Sequence, residues 1–71
     1  MKTTELEQAV KNRAMVTLVD TASVPASLRG SKMRAMGLHW YASAQRVTLG
    51  FLNADGSYAG EKMTAPIEWV A

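Results

Sequence analysis

The side chains able to do chemistry in this sequence are few and dispersed. There are six carboxylates (Glu5, Glu7, Asp20, Asp55, Glu61, Glu68), one histidine (His39) and no cysteine. General acid–base catalysis needs titratable groups that converge in a pocket able to shift their pKa values. Here Glu5 and Glu7 belong to a helix start and Asp55 to a turn. Asp20 meets Glu61 or Glu68 only if a closed sheet brings them together, and nothing requires that it does. No serine sits in a G-x-S-x-G elbow, and there is no thiolate to act as nucleophile. Glycines 30, 37, 50, 56 and 60 compose neither a P-loop nor a dinucleotide fingerprint. A structural zinc site, which needs about four Cys, His or carboxylate ligands, is excluded on the same count. His39, between Leu38 and Trp40-Tyr41, reads as a half-buried packing residue. The expectation is a protein that is not an enzyme and carries no cofactor.

Binding chemistry is better represented. Arg29-Gly30-Ser31-Lys32-Met33-Arg34 is followed by His39-Trp40-Tyr41 and then by Arg46. Cations neutralise phosphates, and exposed aromatic rings stack bases at about 1–3 kcal/mol each. Arg29, Lys32, Arg34, Tyr41 and Arg46, with Trp40, are therefore the nucleic-acid candidates. The competing reading makes the cations a solvated edge that blunts strand pairing, with Trp40 in the core. A net charge of +2 with a pI near 9.3 permits a nucleic-acid partner without demanding one.

Positioning these residues falls to a handful of short elements. Thr4-x-x-Glu7 has the form of a capping box, and Leu6, Ala9 and Val10 share a narrow apolar stripe, which predicts a helix over about 5–12. Ala14 to Asp20 is rich in β-branched residues and predicts a strand. A polar loop follows to Ser31, with one helical turn at Pro25–Leu28. Lys32 to Tyr41 alternates without a clean apolar side, and Gly37 and the aromatics favour a strand. Gln45 to Leu52 alternates well, Asn53-Ala54-Asp55-Gly56 fits a type I turn closed by a left-handed glycine, and Ser57 to Met63 returns. Pairing 53 with 57 sets Gly50 opposite Gly60, as a barrel corner would. Ile67 to Ala71 predicts a short last strand.

From residue 14 to 71 this order resembles an SH3-like barrel, giving a five-stranded, mainly β domain preceded by an N-terminal helical segment over 1–13. Asn53-Ala54-Asp55-Gly56 resembles the distal hairpin of that family, and Pro66-Ile67-Glu68-Trp69-Val70 resembles its closing P-x-x-Y-V segment. The resemblance implies that Pro66 and Trp69 line a groove for proline-rich ligands. The chain departs from the family at Thr17-Leu18-Val19-Asp20-Thr21, which stands where A-L-Y-D-Y would. It also lacks the tandem tryptophans near Arg46-Val47. The polyproline groove thus loses most of its aromatic lining.

Seventy-one residues allow one domain, which buries only about 60% of the surface of the unfolded chain. The apolar content of 48% suits a globular fold. No apolar run approaches the roughly 20 residues that span a bilayer, and acidic residues occupy the place of a signal peptide's apolar stretch. These features predict a cytoplasmic protein without membrane contact. Size and apparent completeness suggest an accessory or inhibitory protein of bacterial or phage origin. Tryptophan and methionine are adaptable interface anchors, so the leading expectation is a protein–protein interaction module. Its contacts would be Met33, Met36 and Trp40 together with Pro66 and Trp69, and a homo-oligomer is permitted. The nucleic-acid face is the alternative.

Overall fold

A computed structural model describes residues 1–71. The protein is mainly β: four antiparallel strands in one sheet, with one short N-terminal helix. Helix α1 (Thr3–Lys11) precedes β1 (Met15–Thr17), β2 (Lys32–Tyr41), β3 (Ala44–Leu52) and β4 (Tyr58–Pro66). A 3-10 turn, Ile67–Trp69, follows. The strands lie in chain order, so every neighbour is joined without a crossover.

The helix begins two residues earlier than its sequence pattern suggests. The box Thr4-x-x-Glu7 is not used. Instead the Lys2 amide donates to Glu5 Oε1 at 3.1 Å, placing Lys2 at the N-cap. At the other end Arg13 takes the left-handed conformation (φ 54°). The Ala14 amide then donates to Ala9 O and the Arg13 amide to Val10 O, a Schellman closure built without glycine. Leu6 and Ala9 are buried, so the apolar stripe is covered by the sheet rather than left for a partner.

The core lies on one face of the sheet. Val16 from β1, Met33 and Ala35 from β2, Val47 and Leu49 from β3 and Ala65 from β4 point into it. Leu6 and Ala9 of α1, Leu18, Val24 of the long loop and Val70 cover that face. The loop is stapled by Arg29, whose Nε donates to the carbonyls of Thr21 and Val24, both at 2.8 Å. Within it the Leu28 amide bonds Pro25 O, the turn expected at Pro25–Leu28.

Two irregularities account for what alternation could not resolve. In β2 the register shifts between Ala35 and Gly37, leaving Met36 as an extra residue. Met33 and Ala35 face the core before the bulge, and Leu38 packs against it afterwards. A single alternation therefore fails over Lys32 to Tyr41. In β4, Asn53 does pair with Ser57, yet Gly50 lies opposite Lys62 and not Gly60. Ala59-Gly60-Glu61 bulges against Phe51, with Gly60 at φ +90°, a conformation that favours glycine.

The expected fifth strand is reduced to a single residue. Ile67 to Trp69 forms the 3-10 turn, and Val70 alone bridges Leu18 antiparallel. The bridge is held by Val19 N–H to Trp69 O at 2.8 Å and Ala71 N–H to Thr17 O at 2.9 Å. No helix is long and apolar enough to cross a membrane.

The β2–β3 connection is strained. Tyr41 pairs with Ala44, so Ala42-Ser43 is a two-residue turn, with Ala42 at φ 55°. Turns of this form favour glycine at the first central position, and a non-glycine left-handed residue costs about 1–3 kcal/mol. Glycine gives part of that back through unfolded-state entropy. Ala42→Gly is expected to raise the melting temperature by a few degrees, read by thermal circular dichroism. An unchanged or lowered midpoint contradicts the assignment.

Candidate functional site

Because α1, the long loop and the C-terminus all pack on one face, the opposite face of the sheet has no covering layer. Its membership follows from register. Val47 and Leu49 are fully buried, so Arg46, Thr48 and Gly50 of β3 point the other way. Their partners share that face: His39 and Pro66 beside Arg46, Gly37 and Thr64 beside Thr48, Arg34 and Lys62 beside Gly50. Met15 lies next to Arg34, and Thr17 next to Lys32. Tyr41 ends the β2 row opposite Ala44, and Tyr58 sits opposite Leu52.

The charge on this face is one-sided. It carries Lys32, Arg34, Arg46 and Lys62, half of the eight basic residues. No carboxylate holds a register position on it. Glu5 and Glu7 are on α1, Asp20 is in the long loop and Glu68 in the 3-10 turn. Glu61 alternates with Lys62 and lies in the bulge. Asp55 is at the β3–β4 turn, where it accepts from Ser57 Oγ at 2.6 Å and from the Ser57 amide at 3.0 Å. The hydroxyl bond first, and the amide second, hold its carboxyl below the usual aspartate range.

Arg34 organises the lower end of the face. It donates from Nη1 to Arg13 O at 2.8 Å and from Nη2 to Gly56 O at 3.2 Å. The guanidinium thus ties the end of α1 to the tip of the β3–β4 hairpin. Next to it lies a shallow depression of about 350 Å³ between Met15, Lys32, Leu52 and the turn 53–56. His39 Nε2 is 2.7 Å from Thr48 Oγ1, and the His39 and Tyr41 rings meet edge to face with centroids 6.3 Å apart.

The candidates read from sequence are divided by this geometry. Lys32, Arg34, Tyr41 and Arg46 share the uncovered face, whereas Arg29 is spent on the loop carbonyls. Met33 is 1% exposed and belongs to the core, so it leaves the proposed partner surface. Trp69 is half-buried against the core, and its carbonyl serves the terminal bridge. Pro66 is half-buried at the end of β4, beside Arg46. Met36 is half-buried in the β2 bulge. Trp40 lies on the other side of β2 from His39 and, contrary to a core placement, is 68% exposed. Sequence reasoning missed Lys62 and Tyr58. The parity of Val47 and Leu49, carried across the hairpin, is the signal for them: pairing 53 with 57 sets Tyr58 opposite Leu52, and the two-residue shift at Gly60 leaves Lys62 on the same face.

Comparison with family models, curated proteins and solved structures gives no match for this chain.

The Asp55–Ser57 pair makes the hairpin tip sensitive to acid. A carboxyl whose pKa is depressed by folding adds stability above its unfolded-state value and loses it as pH falls through the folded value. Wild type should therefore melt above Ser57→Ala at neutral pH, and the gap should close as the solution is taken below the ordinary aspartate range. A gap independent of pH contradicts the assignment.

Proposed function

We propose that this protein is a non-catalytic binding module whose uncovered sheet face holds a single-stranded nucleic acid. The observation that carries the reading is the segregation of charge: Lys32, Arg34, Arg46 and Lys62 on one face with no carboxylate among them. A polyanion laid along β3 meets Arg46 near one end and Lys62, Arg34 and Lys32 toward the other. Exposed Tyr41 and Tyr58 and the exposed His39 ring lie on the same path. Cations that track a backbone, interleaved with rings for bases, are what single-strand binders need. Arg34 keeps its charge although its N–H groups bond carbonyls, so it adds to the field even without touching a phosphate.

The scaffold under this face is read as a reduced SH3-like barrel. Support comes from the order of its parts: a short first strand, a long loop, three hairpin-linked strands, a 3-10 turn and the Leu18–Val70 bridge. A second reading, a protein partner, is favoured by Trp40. It is 68% exposed at the rim, whereas isolated tryptophans of that exposure are typical interface anchors.

Electrostatic binding has a quantitative signature. Each phosphate neutralised on a single strand contributes about −0.7 to the slope of log K against log salt. Three or four contacts predict a slope of roughly −2 to −3 for an oligothymidylate, measured by fluorescence anisotropy. Arg46→Ala and Lys62→Ala should each flatten it by about 0.7. Lack of binding at low salt removes this reading. Trp40→Ala should leave the slope unchanged, because its side chain is on the other face.

A further inference from the structure

Two of the five glycines lie on the uncovered face, and each has the edge of an aromatic ring packed against it. A Cβ built at Gly37 would come within 2.9 Å of His39 Nε2 and 3.2 Å of its Cε1. One built at Gly50 would meet Tyr58 Cε1 at 2.9 Å and Cδ1 at 3.1 Å, with Met36 Sδ at 2.6 Å. Any larger residue at either position would press on the ring that now fills this space. Each glycine thus leaves room for one edge of an aromatic side chain to pack against the backbone. The His39 ring is pinned there by Thr48 Oγ1 at 2.7 Å, and Tyr58 is wedged beside Met36. Both residues remain solvent-exposed, Tyr58 at 40%.

We infer that His39 over Gly37 and Tyr58 over Gly50 are two stacking platforms for adjacent unpaired bases, an inference that rests on the nucleic-acid reading above. Spacing supports it. Gly37 is opposite Thr48, so Gly50 is one strand across and two residues along from it. That separation is roughly 8 Å, combining about 4.8 Å between strands with about 6.7 Å along one. Neighbouring bases splayed from an extended backbone can occupy both rings at once. Cations flank each platform on the same rows, Arg46 opposite His39 and both Arg34 and Lys62 opposite Gly50. A ring held in place before binding loses little further freedom when a base covers it, so the room left by each glycine pre-organises the contact. Duplex bases, already stacked and paired, cannot use either ring, and this assigns the face to single strands without a fixed sequence.

The test compares three labelled ligands on the intact wild-type protein by fluorescence anisotropy at low salt: a short oligothymidylate, an abasic strand of equal length, and a duplex of the same sequence. The oligothymidylate is expected to bind at least roughly 5-fold tighter than the abasic strand, one ring's worth of stacking. Tyr58→Leu and His39→Leu should each weaken the base-bearing strand by roughly 5- to 150-fold and leave the abasic strand unaffected. Tyr58→Phe and His39→Phe should retain most of the affinity, and a merely structural role of the rings would instead weaken both strands alike in the leucine variants. Equal binding of base-bearing and abasic strands by the wild type overturns the platforms while leaving a phosphate-binding face intact. Absence of binding by all three ligands overturns the proposed function itself.

Discussion

The apolar core of this protein is confined to one side of a single sheet, and most of its other features follow from that. With so short a chain, only α1, the loop after β1 and the last residues are free to cover anything. All three go to the face that carries Val47 and Leu49. The central strand β3 therefore has one dry side and one wet side. Alternation then dictates that Arg46, Thr48 and Gly50 belong to the open face whatever their use, with Gly50 buried there only by Met36 and Tyr58. Leu49 and Val47 are each worth about 2 kcal/mol or more of burial, far beyond any exposed contact. The core decides the register, and the composition of the open face is its consequence.

Within that constraint the two bulges do the shaping. A flat meander would hold the hairpin tip away from β1. The three-residue bulge at Ala59-Gly60-Glu61 bends β4, and Gly56 O comes within reach of Arg34. Met36, expelled from the β2 ladder, becomes the wedge beside Tyr58 above Gly50. One extra residue in β2 and two in β4 thus change both the curvature of the sheet and the packing on its exposed face. The positive φ at Arg13 and Ala42 shows where tight connections were made without the glycine that would suit them.

Much of this framework was legible in the residues, and the exceptions have physical causes. The β3–β4 hairpin announced itself through clean alternation and Asn53-Ala54-Asp55-Gly56, because turn chemistry and pleat both act locally. The helix was visible as a stripe, but its start was displaced because Glu5 caps Lys2 in place of the expected Thr4–Glu7 box. The side of β2 could not be read, since a bulge is recorded in pairing and not in composition. Lys62 and Tyr58 went unread among the site residues although the 53–57 pairing already fixes their face, while Lys32, Arg34, Tyr41 and Arg46 stood out by type alone. Met33 misled for the opposite reason. A methionine between two cations suggests a surface, yet one residue of strand puts it on the buried side.

In the proposed binding mode, charge and rings on the open face would divide the work of recognition unequally. Four cations at the edge of high dielectric act at a range of about a Debye length, some 8 Å at physiological ionic strength. They would raise encounter rates and hold a backbone, but they do not distinguish a nucleic acid from another polyanion. Discrimination needs a short-range contact that a bare chain of phosphates cannot make. In the proposed binding mode the rings beside Gly37 and Gly50 would be such contacts, since stacking falls away once a base leaves the ring face. The glycines matter because a Cβ at either position would displace the ring that packs there. Selectivity for bases would then depend on the absence of side chains at these two positions as well as on the aromatic residues themselves.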